Sequence, residues 1–105
     1  MEIRLFTTVR LDTGFREHIQ EKISRLSRFL FDEGTADFSI KKEGPEYVAE
    51  LRIRSKRLSL FLKESSPDLS GSTELLLDKA KNLLRKEHER VIKRSHRAAR
   101  AHEPA

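Results

Sequence analysis

Lys79, Lys86, Arg90, Lys93, Arg97 and Arg100 are spaced so that on an α-helix they fall within about 80° of one another. At about 1.5 Å rise per residue the row would extend about 32 Å, which suits a stretch of phosphate backbone and not a single bound phosphate. Leu76, Leu77, Ala80, Leu83, Leu84 and Val91 form an adjoining stripe of about 120°, so the cations border the face the helix must bury. The acids Glu74, Asp78 and Glu89 fall further round, opposite that stripe. A merely solvated helix intersperses the two signs as i,i+4 pairs. Here they are sorted, which points to a polyanion, although a charge run taken alone also reads as a solvated face. Lys22 and Arg25, with Arg28 further round, border the apolar stripe of an earlier helix. If the two flanks face each other, they form a basic groove. The C-terminal row contains no aromatic side chain, so it fits recognition of structured RNA by backbone and shape better than stacking on single-strand bases.

The other reactive side chains do not assemble into a catalyst. His88 and His96 are separated by about 80° on a helix, and no acid completes a metal-ligand set with them. They read, with His18 and His102, as surface side chains. Ser65-Ser66 and Ser70-Gly71-Ser72 match neither a nucleophile elbow nor a phosphate loop and read as turn and helix-start chemistry. Asp32-Glu33 lies in a turn signal, and there is no cysteine to act as thiolate or ligand. No catalytic residue, metal or cofactor is expected, and the chain reads as non-enzymatic.

The elements that carry these residues follow from periodicity. Ile3, Leu5, Thr7 and Val9 alternate and predict a strand over residues 2–9. Asp12 offers an N-cap, and Phe15, Ile19, Ile23, Leu26 and Leu30 predict an amphipathic helix over 13–31, ended by Asp32-Glu33-Gly34. Three alternating runs follow, carrying Ala36, Phe38 and Ile40, then Tyr47, Ala49, Leu51 and Ile53, then Leu58, Leu60 and Leu62. The turns Glu43-Gly44-Pro45-Glu46 and Ser55-Lys56-Arg57 make them an antiparallel meander. Ser65, Ser66, Pro67 and Asp68 precede a second helix from Leu69 towards residue 96. The order β-α-β-β-β-α, with one apolar face per element, predicts an α+β fold: a four-stranded sheet with both helices packed on one face. The other sheet face would carry Arg4, Phe6, Val48, Arg52, Phe61 and Lys63. An apolar cluster of Phe6, Val48 and Phe61 there reads as cross-strand packing, or alternatively as a partner site.

Composition bounds the class. The 105 residues support one domain, read as residues 1–96, with 97–105 as a basic, flexible tail. The net charge of +5 is uneven: residues 79–100 hold nine basic and two acidic side chains, an excess of seven, and the remainder is net negative by two. No run approaches the roughly 18 apolar residues of a membrane span, and the N-terminus lacks the order of a signal peptide. A cytoplasmic protein, monomeric when free, is the expectation.

Several segments together resemble the bacterial ribosome hibernation promoting factors. Thr8-Val9-Arg10-Leu11-Asp12-Thr13-Gly14-Phe15-Arg16-Glu17-His18-Ile19 resembles the family's passage from first strand to first helix, and Glu21 to Phe29 its first helix. Glu64-Ser65-Ser66-Pro67-Asp68-Leu69, then Leu77-Asp78-Lys79, resembles the start of its second helix. Leu84-Arg85-Lys86-Glu87-His88-Glu89-Arg90 resembles the basic stretch that follows. The collinear set spans about residues 2–96. It implies a factor that docks on the small ribosomal subunit, occupies the messenger and transfer RNA channel, and silences translation in stationary phase or stress. The resemblance carries contacts with ribosomal RNA to Arg16, Lys22, Lys79, Arg85, Lys86, Arg90 and Lys93. Geometry adds Arg25, Arg28, Arg94 and Arg97. The chain departs from the family at Ser70-Gly71-Ser72, where an aromatic and two alanines are usual, so a late or loose start to the second helix is expected. Ser55-Lys56-Arg57 replaces a glycine-containing turn, and a short form without the dimerisation domain of long members is the expectation. A general structured-RNA module and a protein-interaction domain are the alternatives.

Overall fold

The computed structural model describes the backbone of residues 1–101 and the side chains of residues 1–95. Its elements are β1 (Glu2–Thr7), α1 (Thr13–Arg25), a 3₁₀ turn (Leu26–Phe29), β2 (Thr35–Glu43), β3 (Glu46–Arg54), β4 (Ser59–Ser66) and α2 (Leu69–Ala101). The four strands form one sheet in the order β1-β2-β3-β4. β1 pairs parallel to β2, and the other pairs are antiparallel. A parallel pair cannot be joined by a tight turn, so the chain crosses over through α1. β2 and β3 are joined by a two-residue loop, Glu43 lying opposite Glu46. Gly44 takes φ +58°, the left-handed value such tight hairpin turns require and a side chain resists.

Pairing sets the core. Ala36, Phe38 and Ile40 lie opposite Ile53, Leu51 and Ala49, and all six are buried. Ile19, Ile23 and Leu26 of the first helical segment and Leu76, Leu77, Ala80 and Leu84 of α2 join these six in a single core cluster. Both helices therefore lie on one sheet face, as the periodicity predicts. Each large aliphatic side chain so buried contributes about 1.5–3 kcal/mol.

Helix boundaries differ from the sequence expectation in two places. The helix predicted over 13–31 ends at Arg25 and tightens into the 3₁₀ turn. The Ser24 and Ser27 hydroxyls donate to the carbonyls of Glu21 and Ser24 (2.8 and 2.7 Å), side-chain bonds that compete with the regular ladder. Leu30 then turns extended. The second helix, in contrast, starts neither late nor loosely. Asp68 caps it: its carboxylate accepts from the Gly71 N–H and the Ser70 hydroxyl, both at 2.9 Å. Ser72 and Thr73 are buried, each hydroxyl donating to the Leu69 carbonyl.

α2 has 33 residues and is about 50 Å long. It passes over the sheet and continues beyond it, giving the molecule extents of 62 × 22 × 16 Å. Its buried stripe consequently stops at Leu84. Leu83, predicted as core, is 37% exposed at the margin of the stripe, and Val91 is only half-buried.

The apolar cluster expected on the other sheet face does not form. Val48 is buried between Lys41 and Ser65, its neighbours across the sheet. Phe6 and Phe61 stand on the two edge strands with polar side chains between them. Sequence alternation places residues on a face, but strand order decides which of them are neighbours.

Candidate nucleic-acid interface

Lys22, Arg25, Leu26, Arg28, Leu77, Asp78 and Lys81 line a cleft of about 150 Å³ between the first helical segment and α2. Four of its seven residues are cations and one is an acid. The α1 stripe fixes half of it: burying Ile19, Ile23 and Leu26 leaves Lys22 and Arg25 beside the stripe, and the 3₁₀ turn brings Arg28 to the same rim. α2 supplies the other half, since burying Leu77 and Leu84 places Asp78 and Lys81 towards α1. Arg25 is held by Glu21 one turn earlier at 2.5 Å, an exposed pair that orients the guanidinium with little effect on stability. Lys22, Arg28 and Lys81 have no carboxylate partner among the described side chains.

Two histidines keep the helices in register. His18 Nε2 lies 2.5 Å from the Glu74 carboxylate and joins α1 to α2. His88 Nδ1 lies 2.8 Å from the Phe29 carbonyl oxygen, and its ring stacks on Phe31 at 4.5 Å between centroids. His18 and His88 are thus half-buried struts and not the free surface histidines the sequence suggests. Their partners are 56 and 59 residues away in the chain, a distance at which periodicity carries no signal.

A basic groove does lie between the helices, but it is made differently from the one expected. The row of Lys79, Lys86, Arg90 and Lys93 does not face α1. Lys79 pairs with Glu64 of β4, so this flank of α2 looks the other way, over the edge of the sheet. The flank that faces α1 carries Lys81, with exposed Arg85 one turn on. The acids Glu74 and Asp78, expected opposite the core, also border α1. The helical projection is right about angles. It does not say which side of α2 meets α1, and that is decided by the packing of Leu77 and Leu84 on the sheet.

Lys22, Arg25 and Arg28 thus line the groove together, and Lys81 joins them. Only the sequence row Leu77-Lys81-Arg85, at i,i+4 spacing, could have signalled that lysine. Lys86, Arg90, Lys93 and Arg94 are exposed on α2, Arg90 with Glu87 at 3.0 Å. Arg16 is half-buried in the first turn of α1 and does not line the cleft. Arg97 lies outside the described side chains, as do His96, Arg100, His102 and the whole of the expected tail of residues 97–105. Among the described residues no helix is long and apolar enough to cross a membrane.

Solved structures with this fold are known. The N-terminal domain of Thermus thermophilus Protein Y superposes with a TM-score of 0.71 at 19% identity, covering 82% of this chain and 98% of that one. A ribosomal subunit interface protein from Coxiella burnetii superposes at 0.64 with 20% identity, covering 82% and 96%. No curated protein matches the sequence. A family model, however, matches residues 6–92, from the end of β1 through α1, β2, β3 and β4 into α2, and includes every residue of the cleft. The chain belongs to the Sigma 54 modulation protein / S30EA ribosomal protein family, in agreement with the hibernation-factor resemblance of its sequence.

Proposed function

We propose that the protein is a non-enzymatic translation-silencing factor that binds the small ribosomal subunit. In this reading it lies in the messenger and transfer RNA channel and holds ribosomal RNA phosphates on its helical side. The observation that carries the reading is the basic cleft of Lys22, Arg25, Arg28 and Lys81, with Arg85 one turn further along the same flank of the projecting α2 and Lys86, Arg90 and Lys93 exposed on its far flank. Its volume is below the roughly 300 Å³ of small-molecule sites, and four cations against one acid on its walls suit backbone phosphates. Family membership supports the ribosome as the RNA, and a ribosomal subunit interface protein shares the fold. Action at the ribosome would place the protein in the cytoplasm, in stationary phase or stress.

Co-sedimentation with purified ribosomal subunits across a salt series, read together with translation in vitro, tests this. The expected result is small-subunit binding that weakens steeply with salt, as displaced counterions require, and inhibition of translation over the same concentrations. Equal affinity for any RNA duplex would identify a general structured-RNA module instead, and absence of co-sedimentation at low salt would refute the reading.

A further inference from the structure

The sheet face opposite the helices carries a second cleft, of about 230 Å³, lined by Phe6, Asp37, Ser39, Glu50, Arg52, Arg54 and Phe61. Its rims are aromatic and its floor is polar. Phe6 is 55% exposed and Phe61 is 52% exposed, unusual for rings on a face the core does not need. The floor acids are already matched from within the sheet. Asp37 accepts from Arg4 at 2.7 and 3.2 Å, and Glu50 lies 3.8 Å from the Lys63 ammonium. Arg52 and Arg54 have no carboxylate partner among the described side chains, and the Arg52 guanidinium sits 5.1 Å from the Phe61 ring centroid. The cleft therefore presents two guanidiniums on β3, Arg52 level with Phe61 and Arg54 one pair further along the strand, together with two aromatic rings on the edge strands. Strand spacing and register put those rings about 16 Å apart. That is roughly five nucleotides at a stacked rise of ~3.4 Å, and fewer for an extended strand.

We infer that this open sheet face binds a short single strand of RNA, with bases stacking on Phe6 and Phe61 and phosphates on Arg52 and Arg54. Single-strand sites combine these two components, aromatic platforms and a cationic track. An acidic peptide would satisfy the arginines and leave both rings without a partner. An apolar protein surface would meet a charged floor. The inference is independent of the groove on the helical side, since the sheet separates the two surfaces.

The chain has no tryptophan, so Phe61→Trp places a single tryptophan at the cleft, excited selectively at long wavelength over Tyr47. Titration of this variant with a mixed-sequence eight-nucleotide single-stranded RNA should quench its emission to saturation. With two phosphates held, the affinity should fall about sevenfold between 50 and 200 mM salt, from a slope of about −0.7 per phosphate. In the same background, Phe6→Ala should weaken binding by at least about fivefold, and Arg52→Gln with Arg54→Gln should flatten the salt dependence. Lys22→Gln with Lys81→Gln should leave the quenching intact whatever it does to small-subunit binding, so this inference and the proposed function fail separately. Photocrosslinking of the unaltered protein to 4-thiouridine RNA, with adducts expected on the β1 and β4 peptides, needs no variant to fold. Absence of quenching, quenching by duplex RNA or polyglutamate alone, indifference to the arginine substitutions, or crosslinks confined to α2 would each overturn it.

Discussion

Neutralising Lys22 and Lys81 together, as Lys22→Gln and Lys81→Gln, separates the groove between the helices from the row on the far flank of α2. The two lysines sit on opposite walls of the cleft, and neither has a carboxylate partner among the described side chains. Each duplex-RNA phosphate that is no longer neutralised should lower the salt slope by about 0.9, so the pair removes about 1.8. Taking 1 M salt as the condition at which the electrostatic contribution vanishes, affinity for the small subunit falls about 60-fold at 0.1 M and about ninefold at 0.3 M. The first figure corresponds to about 2.5 kcal/mol. Lys81 is exposed and Lys22 half-buried, so thermal stability should change by no more than about 0.5 kcal/mol. Sedimentation of labelled protein with small subunits at several salt concentrations measures the slope directly. An unchanged slope would show that the cleft holds no phosphate, and the same fold-loss at every salt would show that the lysines act by shape and not by charge. Lys86→Gln with Arg90→Gln is the matched comparison on the other flank. If that pair alone moves the slope, the α2 row is the interface and the groove is not.

Three further substitutions test the framework, each read by thermal or denaturant unfolding. Leu76→Ala removes a fully buried side chain where α2 meets the sheet and should cost about 2–5 kcal/mol; a loss below about 1 kcal/mol would contradict the packing. Asp68→Ala deletes the N-cap of α2 and should cost about 1 kcal/mol, or about 4–8 °C in Tm, whereas Asp68→Asn should retain most of it. Gly34→Ala would bring a methyl carbon to 2.8 Å from the Arg54 carbonyl oxygen and 2.9 Å from Leu30 Cδ1, so about 1–3 kcal/mol of overpacking is expected. A neutral result there would mean that the loop before β2 can shift.

The contrast between Gly34 and Gly44 shows how much of the fold was legible. Both stand in turn signals, and the sequence marks both as breaks. Gly44 is needed for its own dihedral, a local property. Gly34 is needed because the Arg54 carbonyl, 20 positions later, passes close by, and nothing local records that. The serines at 24 and 27 show the same limit from the other side. An apolar stripe continuing to Leu30 predicts helix, and hydroxyl bonds to the carbonyls of the last turn end it early.

The sequence by itself determined the succession of elements, the buried face of each and the concentration of cations on α2, because these are periodic properties of neighbouring residues. It also placed Lys22, Arg25 and Arg28 on one side of the first helix. Tertiary structure alone decided that β1 lies beside β2, that Phe6 and Phe61 end on opposite edges, and that the groove is closed by Lys81 and not by Lys79. Each depends on which side of an element meets its neighbour. A periodic pattern is symmetric about its own stripe, and only packing on the common sheet breaks that symmetry.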